Sequence, residues 1–253
     1  MGMTVAVTNQ KGGVGKTTTA AQLGSGLADR GKKVLFIDMD AQCNLSYLLK
    51  AENDEKTVLH AMTGKMPAAG AVVHCEKYDV MPGSTYMSAV DSYLPASGRE
   101  YSLKKVIDQI KDYYDYIIID SPPTLGTATV STLTAADTVL VPSQADVYSL
   151  QGMGQLFSTI KTVRKFTNPG LKIDGILMTR HSDRLLHSRQ MREMIAQTAE
   201  MMGTKVYDTC IHESVALREA ATSQTSIYGY RRKSRPAEDY SRFTDEFLAG
   251  QNN

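Results

Sequence analysis

Short apolar runs alternate along the chain with longer stretches of helical periodicity. Most of the runs are continuous, without interleaved polar residues, which is typical of strands buried on both faces of a parallel sheet. They lie at residues 5–8, 34–38, 116–120, 138–142 and 173–179. Since strands and helices alternate, we predict an α/β fold, a single-domain, mostly parallel twisted sheet with helices on both faces.

The segments between and after these runs predict the remaining elements. Helical periodicity covers residues 17–30, 99–113, 149–167 and 187–202, and residues 69–83 read as two short strands around a turn. Pro236 is suited to open a last helix. Its apolar stripe of Tyr240, Phe243 and Phe247 predicts docking on the core. We expect its other face to be acidic, with Glu238, Asp239, Asp245 and Glu246.

Composition narrows the class of protein. The 253 residues are 42% hydrophobic and 22% charged, enough for a sizeable core, and no linker divides them, so we expect one domain over 1–253. A net charge of +1 leaves binding to nucleic acid or membrane to a local patch. The three cysteines form no CxxC pair, and no apolar run reaches membrane-spanning length. We therefore expect a cytoplasmic protein.

A glycine-rich loop, "NQKGGVGKTT" at 9–18, follows the first predicted strand and opens the first predicted helix. In that context consecutive backbone N–H groups surround phosphate oxygens, and the helix dipole favours negative charge. We predict that Lys16 reaches the β- and γ-phosphates and that Thr17 ligates Mg²⁺. The candidate nucleotide-binding residues of the loop are Lys11, Gly12, Gly13, Val14, Gly15, Lys16, Thr17 and Thr18.

The loop departs from the usual phosphate-loop pattern because Gln10 stands where a glycine is expected and Lys11 follows it. In this, "KGGVGKTTT" resembles the deviant Walker A loop of the ParA partition ATPases, within the ParA/MinD group. The segments 34–46, 116–152, 173–180 and 213–230 are also similar to that family, in the same order. The resemblance implies that Lys11 crosses a two-fold dimer interface to the partner subunit's nucleotide, and that Lys11, Lys16 and Asp40 are catalytic.

Three aspartates end predicted strands. A carboxylate at the end of the buried run "YIII" is costly without a cation, so Asp120 predicts Mg²⁺ held through water. Asp38 and Asp40 lie two apart on an extended backbone, so both can face the phosphates. By resemblance, Asp40 orients or activates the attacking water and Asp38 supports the metal site. The family's second motif is Asp-x-Asp-Pro-Gln, and Ala41 replaces its proline here.

The resemblance also implies partners. It implies slow, partner-stimulated, Mg²⁺-dependent ATP hydrolysis by a homodimer that segregates plasmid, chromosome or mobile-element DNA with a centromere-binding ParB-type protein. Thr179 and Arg180 are expected beside the adenine, and the basic C-terminal region is expected to hold DNA nonspecifically on the nucleoid. The candidate DNA-binding residues are Arg189, Arg192, Arg218, Arg231, Arg232 and Lys233. Because the first strand begins by Thr4, the small Soj-like class without an N-terminal helix-turn-helix domain is expected.

Rival interpretations share the nucleotide loop. A MinD-like, membrane-associated spatial regulator would end in a basic amphipathic helix, whereas the last predicted helix here is acidic on its polar face. An electron carrier similar to the nitrogenase iron protein would need two cluster cysteines, and Cys43, Cys75 and Cys210 do not supply a matching pair. An adaptor that binds ATP without turnover is the remaining alternative.

Overall fold

The computed structural model describes residues 2–181 and 186–251, with the side chains of 186–190 and 192 outside that description. Its strands are β1 (Met3–Val7), β2 (Val34–Asp38), β3 (Val73–His74), β4 (Asp79–Met81), β5 (Tyr116–Asp120), β6 (Thr138–Ser143), β7 (Lys172–His181) and β8 (Val206–His212). Its α-helices are α1 (Lys16–Ala28), α2 (Asn44–Leu48), α3 (Val58–Met62), α4 (Ser102–Ile107), α5 (Thr127–Ala135), α6 (Val147–Phe166), α7 (Leu186–Met201), α8 (Val215–Thr222), α9 (Ile227–Tyr230) and α10 (Arg235–Gln251).

The described strands form one eight-stranded sheet in the order β3-β4-β2-β5-β1-β6-β7-β8. All neighbouring pairs are parallel except β3 and β4, which form the predicted antiparallel hairpin. Asp120 pairs in register with both Val7 and Asp38, so the ends of β1, β2 and β5 meet in one row. Parallel strands thereby bring the segments that follow them to a common edge.

Helices cover both faces of the sheet, as predicted. Phe36 of β2 packs in a core cluster with α1, α8 and α10, whereas its neighbours Leu35 and Ile37 pack in a second cluster with α3 and α4. A third cluster joins β6 and β7 to α6 and α7. Because successive strand residues point to opposite faces, continuous apolar strands need a helical layer on each side. The α/β fold class is confirmed.

Two parts of the prediction differ from the structure. The helix expected over 99–113 is a short α4 flanked by 3₁₀ turns at Arg99–Tyr101 and Lys111–Tyr113. Strand β8 was not predicted, because its buried positions do not form a continuous run: Tyr207 and Ile211 are buried while Asp208 is exposed. An edge strand of this kind carries too weak a pattern to be recognised.

Helix α10 docks as predicted, with Tyr240, Phe243 and Phe247 buried. Its acidic face is only partly as expected, because Asp239 is fully buried. The Asp239 carboxylate accepts hydrogen bonds from the backbone N–H of His212 and from Arg242. Asp239 therefore fastens α10 to the end of β8 and is not part of the polar surface.

In residues 2–181 and 186–251, no helix has both the length and the apolar character needed to cross a bilayer.

Candidate functional site

A cavity of about 790 Å³ opens at the carboxyl edge of the sheet, where β1, β2 and β5 end. The glycine-rich loop between β1 and α1 lines it, from Gly12 to Thr18. Gly13 and Gly15 adopt φ angles of 73° and 88°, in the left-handed region. These two positions require glycine, because a β-carbon is strained there. The turn leaves the N-terminal N–H groups of α1 facing the cavity.

Side chains from neighbouring strands fix the shape of this loop. The Asn9 amide donates to the carbonyl of Pro142 at 2.7 Å, and its oxygen accepts from the Lys11 N–H at 3.0 Å. Gln144 donates to the carbonyl of Gly13 at 3.0 Å. The Thr179 hydroxyl lies 2.8 Å from the carbonyl of Val14. The loop is therefore held against the ends of β6 and β7 before any ligand enters.

Lys16 is the cation at the centre of the loop. Its side chain is largely buried, and Nζ donates to the carbonyl of Lys11 at 3.2 Å. Burial lowers the pKa of Lys16, while the carboxylates of Asp120 and Asp40 act in the opposite direction. A desolvated ammonium beside free helix N–H groups is suited to bind polyphosphate.

Thr17 and Asp120 meet at the floor of the site. The Thr17 hydroxyl donates to Asp120 Oδ2 at 2.6 Å. The other oxygen, Oδ1, is buried, and no group in the described residues hydrogen bonds to it. Burial, and then the charge of Asp38, raises the pKa of Asp120 well above its usual range. An orphaned carboxylate oxygen next to a threonine hydroxyl fits the oxygen ligands that Mg²⁺ prefers, directly or through water.

Asp38 and Asp40 have different surroundings although they are two residues apart. Asp40 lines the cavity beside the loop and is partly exposed. Asp38 is fully buried, and its Oδ2 accepts hydrogen bonds from the backbone N–H and the hydroxyl of Ser46, at 2.9 and 2.7 Å. Burial raises the pKa of Asp38 to about 6. Asp40 can therefore contact a ligand, whereas Asp38 lies behind it, fixed to Ser46.

Lys11 does not line the cavity of its own chain. Its ammonium instead forms an ion pair with Asp146 at 2.5 Å, at the N-cap of α6. Burial raises the pKa of Asp146, but its hydrogen bonds, first of all the one from Lys11, outweigh burial, so the pKa is lowered overall. The side chain of Lys11 is 25% exposed. The two lysines of the loop thus lie in different places, Lys16 in the cavity lining and Lys11 outside it, at the N-cap of α6.

Thr179 and Arg180 both line the cavity at the end of β7. Thr179 is buried and bonded to the loop, so the structure gives it a supporting position. Arg180 is exposed and has a φ of 50°, which is rare outside glycine and asparagine. Arg180 is therefore the freer of the two to contact a ligand.

The far wall of the cavity comes from segments in which the sequence predicted no nucleotide-binding residue. Residues 87–91, the turn after β5 and residues 211–221 complete the lining. Asp91 is held there by Arg99 at 2.5 Å and by Thr127 at 2.6 Å. Residues 87–91 carry no recognisable motif, whereas the turn after β5 and residues 213–221 lie in segments that resemble the partition ATPases without marking a nucleotide contact. The local signal that could have identified the turn after β5 is the strand-ending Asp120, because the residues directly after it lie at this edge of the sheet.

Four of the six candidate DNA-binding residues have described side chains, and these lie on α8 or in the segment beside it. Arg218 is exposed on α8 and lines the cavity rim. Arg231, Arg232 and Lys233 are exposed between α9 and α10. The Tyr230 hydroxyl donates to Glu219, next to Arg218, at 3.3 Å, so this segment lies beside α8. Two further candidates, Arg189 and Arg192, belong to α7, but their side chains lie outside the described residues.

Comparison with known proteins places this site in a family. A family model described as an AAA domain matches residues 2–173. The sporulation initiation inhibitor protein Soj of Bacillus subtilis is 38% identical over 98% of this chain and 99% of its own. The chromosome partitioning protein ParA of Caulobacter vibrioides is 36% identical over 97% of this chain and 93% of its own.

The chain belongs to the Soj/ParA family of AAA-domain ATPases. A solved structure of the cobyrinic acid a,c-diamide synthase of Mycobacterium smegmatis, with a bound ATP analogue and magnesium, has the same fold. It superposes with a TM-score of 0.87 at 33% identity, covering 100% of this chain and 96% of that one. The Soj/ParA relatives align over almost their full lengths, so helices α8 to α10, beyond the AAA-domain match, belong to the shared chain.

Proposed function

We propose that the chain is a Mg²⁺-dependent ATPase that dimerises with ATP, binds DNA nonspecifically and segregates DNA together with a ParB-type partner. In this proposal residues 1–253 act as one ATPase domain. Its foundation is the cavity described above, with its glycine-rich loop, buried lysine and orphaned aspartate oxygen. The Soj and ParA relatives, named for chromosome partitioning, support the cellular role.

The residues of the site divide the work of phosphoryl transfer. Loop N–H groups and Lys16 hold the β- and γ-phosphates, and Asp40 orients the attacking water. Thr17 and Asp120 hold Mg²⁺, which when bound neutralises phosphate charge. Asp38 supports that arrangement from behind through Ser46. Lys11 is directed away from its own cavity and paired with Asp146, and in this proposal it exchanges that partner for a nucleotide held by a second copy of the chain.

One observation carries the proposed link between ATP and DNA: helix α8 borders the nucleotide cavity and also bears a candidate DNA-binding residue. Leu217, Arg218 and Ala221 of α8 line the nucleotide cavity, and Arg218 is exposed at the same time. Beyond the helix, the Gln224 amide donates to the carbonyl of Tyr47 at 3.0 Å, in the helix that follows Asp40. A change at the phosphates can therefore move Arg218 through contacts on both sides of α8.

A membrane-associated role is the alternative, and α10 argues against it. Its apolar residues Tyr240, Phe243 and Phe247 are buried in the core, so they are not available to a bilayer. The exposed positions include Glu238 and Asp245, which anionic lipid would repel. A membrane-binding helix needs a free apolar face and a basic polar face. DNA is therefore the favoured surface.

The test compares Arg218→Ala with Lys65→Ala, which removes the same charge from an exposed turn far from α8. With Mg²⁺ and ATP, binding of a labelled random-sequence duplex is measured by fluorescence anisotropy over a range of salt concentrations. We expect Arg218→Ala to weaken binding. The slope of log affinity against log salt should become shallower by about one for each DNA phosphate that the arginine neutralises.

Basal ATP turnover is measured in the same samples, and we expect it to be retained in both variants. If Arg218→Ala binds DNA like Lys65→Ala, then α8 is not part of the DNA surface. If turnover is abolished as well, Arg218 serves the nucleotide and the division of roles along α8 is wrong.

A further inference from the structure

A second cavity, of about 500 Å³, lies at the opposite edge of the sheet. It is lined by the start of β2, by the β3–β4 hairpin and by residues 110–114 before β5. Because four residue steps of roughly 3.3 Å separate Val34, in its lining, from Asp38, this cavity lies about 13 Å along β2 from the strand end that carries Asp38. The proposed ATPase uses none of its residues, so its features need a separate explanation.

The walls of this cavity are mainly aromatic and aliphatic. Tyr78, Tyr113 and Tyr114 line it together with Val72 and Ile110. The Tyr113 side chain is 73% exposed and so presents an aromatic surface to solvent at this cavity. Aromatic walls with a few polar groups at the mouth are typical of small-molecule sites, and a volume of this size suits a small ligand. These walls favour a ligand with a flat apolar ring.

The charges at this cavity favour an anion. Asp79 is the one carboxylate among its described lining residues, and both of its oxygens are engaged. The His74 ring lies 2.8 Å from Oδ1, and the Tyr114 hydroxyl donates to Oδ2 at 2.7 Å. Lys77 is paired with Asp29 outside the lining, at 2.7 Å. Lys33 also lines the cavity, and its backbone N–H donates to Asp115 Oδ2 at 2.8 Å. Within residues 2–181 and 186–251 no acidic group forms an ion pair with the Lys33 ammonium itself.

We propose that this cavity binds a small aromatic carboxylate, with the ring between the tyrosines and the carboxylate at Lys33. The apolar walls account for the ring, and the positive charge of Lys33, an exposed lining residue, accounts for the carboxylate. The proposal is independent of DNA binding and of ATP turnover, since it rests on residues at the other edge of the sheet.

Cys75 supplies the readout, because it is a partly exposed residue in the lining of this cavity. The full-length protein, with MgADP present, is treated with monobromobimane at increasing concentrations of 2-naphthoate, and modification of each cysteine is followed by mass spectrometry. We expect 2-naphthoate to slow labelling of Cys75 at least severalfold. Cys43 and Cys210, which are also partly exposed, should react at unchanged rates. The uncharged 2-naphthamide should protect Cys75 less well.

Two pairs of variants test the assigned positions. Lys33→Gln should raise the half-protecting concentration of 2-naphthoate about two- to fivefold, whereas the exposed neighbour Lys32→Gln should not. Ala69→Trp, at an exposed position in the lining, should fill the cavity and abolish protection, whereas Ala96→Trp, exposed elsewhere, should preserve it. ATP turnover confirms that each variant is folded.

The proposal is overturned if millimolar 2-naphthoate gives no protection of Cys75. It is equally overturned if Ala69→Trp leaves the protection of Cys75 intact. The same holds if 2-naphthoate protects Cys75 no better than 2-naphthamide does in Lys32→Gln as well as in Lys33→Gln.

Discussion

At the scale of single residues, the two lysines of the phosphate loop differ in position although they are five residues apart. Lys16 lies in the cavity lining, whereas Lys11 lies outside it, paired with Asp146. The sequence predicted the loop, Thr17 and Asp120 because each is set by a local motif or by the end of a strand. It did not predict Ser46 or Asp146, because their contacts with Asp38 and Lys11 arise only from the folded packing.

The positions of the lysines predict separable effects. Lys16→Ala should weaken ATP binding at least tenfold, because a buried ammonium facing the phosphates is removed. Lys11→Ala should leave ATP binding nearly unchanged but abolish ATP-dependent dimerisation. Fluorescent ATP-analogue titration and light scattering measure the two effects. Equal loss of ATP binding in both variants would contradict the trans role of Lys11.

Asp40→Ala should reduce ATP turnover by roughly a hundredfold or more while ATP binding is retained, because a residue that orients water acts on the chemical step. The matched control is Asp54→Ala, an exposed acidic position outside the cavity lining. Turnover is measured by phosphate release. Wild-type turnover in Asp40→Ala would move the water-orienting role elsewhere, and no turnover in the wild type would favour the adaptor alternative.

Asp38 predicts a specific pH dependence of stability. Its pKa rises from 3.8 to about 6 on folding, so between these values the folded protein keeps a proton that the unfolded chain has released. Raising the pH through this window therefore lowers the free energy of unfolding, by up to roughly 3 kcal/mol. Urea unfolding in EDTA should show this fall for the wild type relative to Asp38→Asn. Parallel pH profiles for the two proteins would refute the assignment.

At the scale of elements, the sequence predicted most clearly the strands that are buried on both faces, and it also predicted the short β3–β4 hairpin. Continuous apolar runs marked β1, β2, β5, β6 and β7, whereas the edge strand β8 mixes buried and exposed positions. Over 99–113 the apolar spacing is real, since Leu103, Val106, Ile107 and Ile110 are all buried. However, 3₁₀ turns form both ends of this segment, so it is not one continuous α-helix. Periodicity therefore predicted which face is buried better than it predicted the helix type.

Helix α10 should contribute strongly to stability through its buried stripe. Phe243 is fully buried and contacts Tyr207 edge to face, with ring centroids 4.9 Å apart. Phe243→Ala should lower the free energy of unfolding by about 3–5 kcal/mol, because it leaves a cavity between α10 and the sheet. Glu238→Ala, exposed on the same helix, should cost less than about 1 kcal/mol. Denaturant unfolding measures both, and similar small losses would mean that α10 is not docked as described.

At the scale of the whole molecule, the phosphate cavity is assembled from segments far apart in sequence. Motifs could predict its floor, but not the far wall from residues 87–91 and 211–221, because those positions meet only through the strand order. The same assembly places Arg218 on a helix that borders the nucleotide. This arrangement predicts that ATP controls the affinity of the molecule for DNA.

The most direct test is the binding of the wild-type protein to a labelled random-sequence duplex, followed by fluorescence anisotropy at low salt. Three titrations with Mg²⁺ are compared, one with ATP, one with ADP and one without nucleotide. We predict tight binding with ATP alone, which disappears when salt is added. Equal binding in the three states, or no binding in any of them, would contradict the ATP-controlled DNA switch.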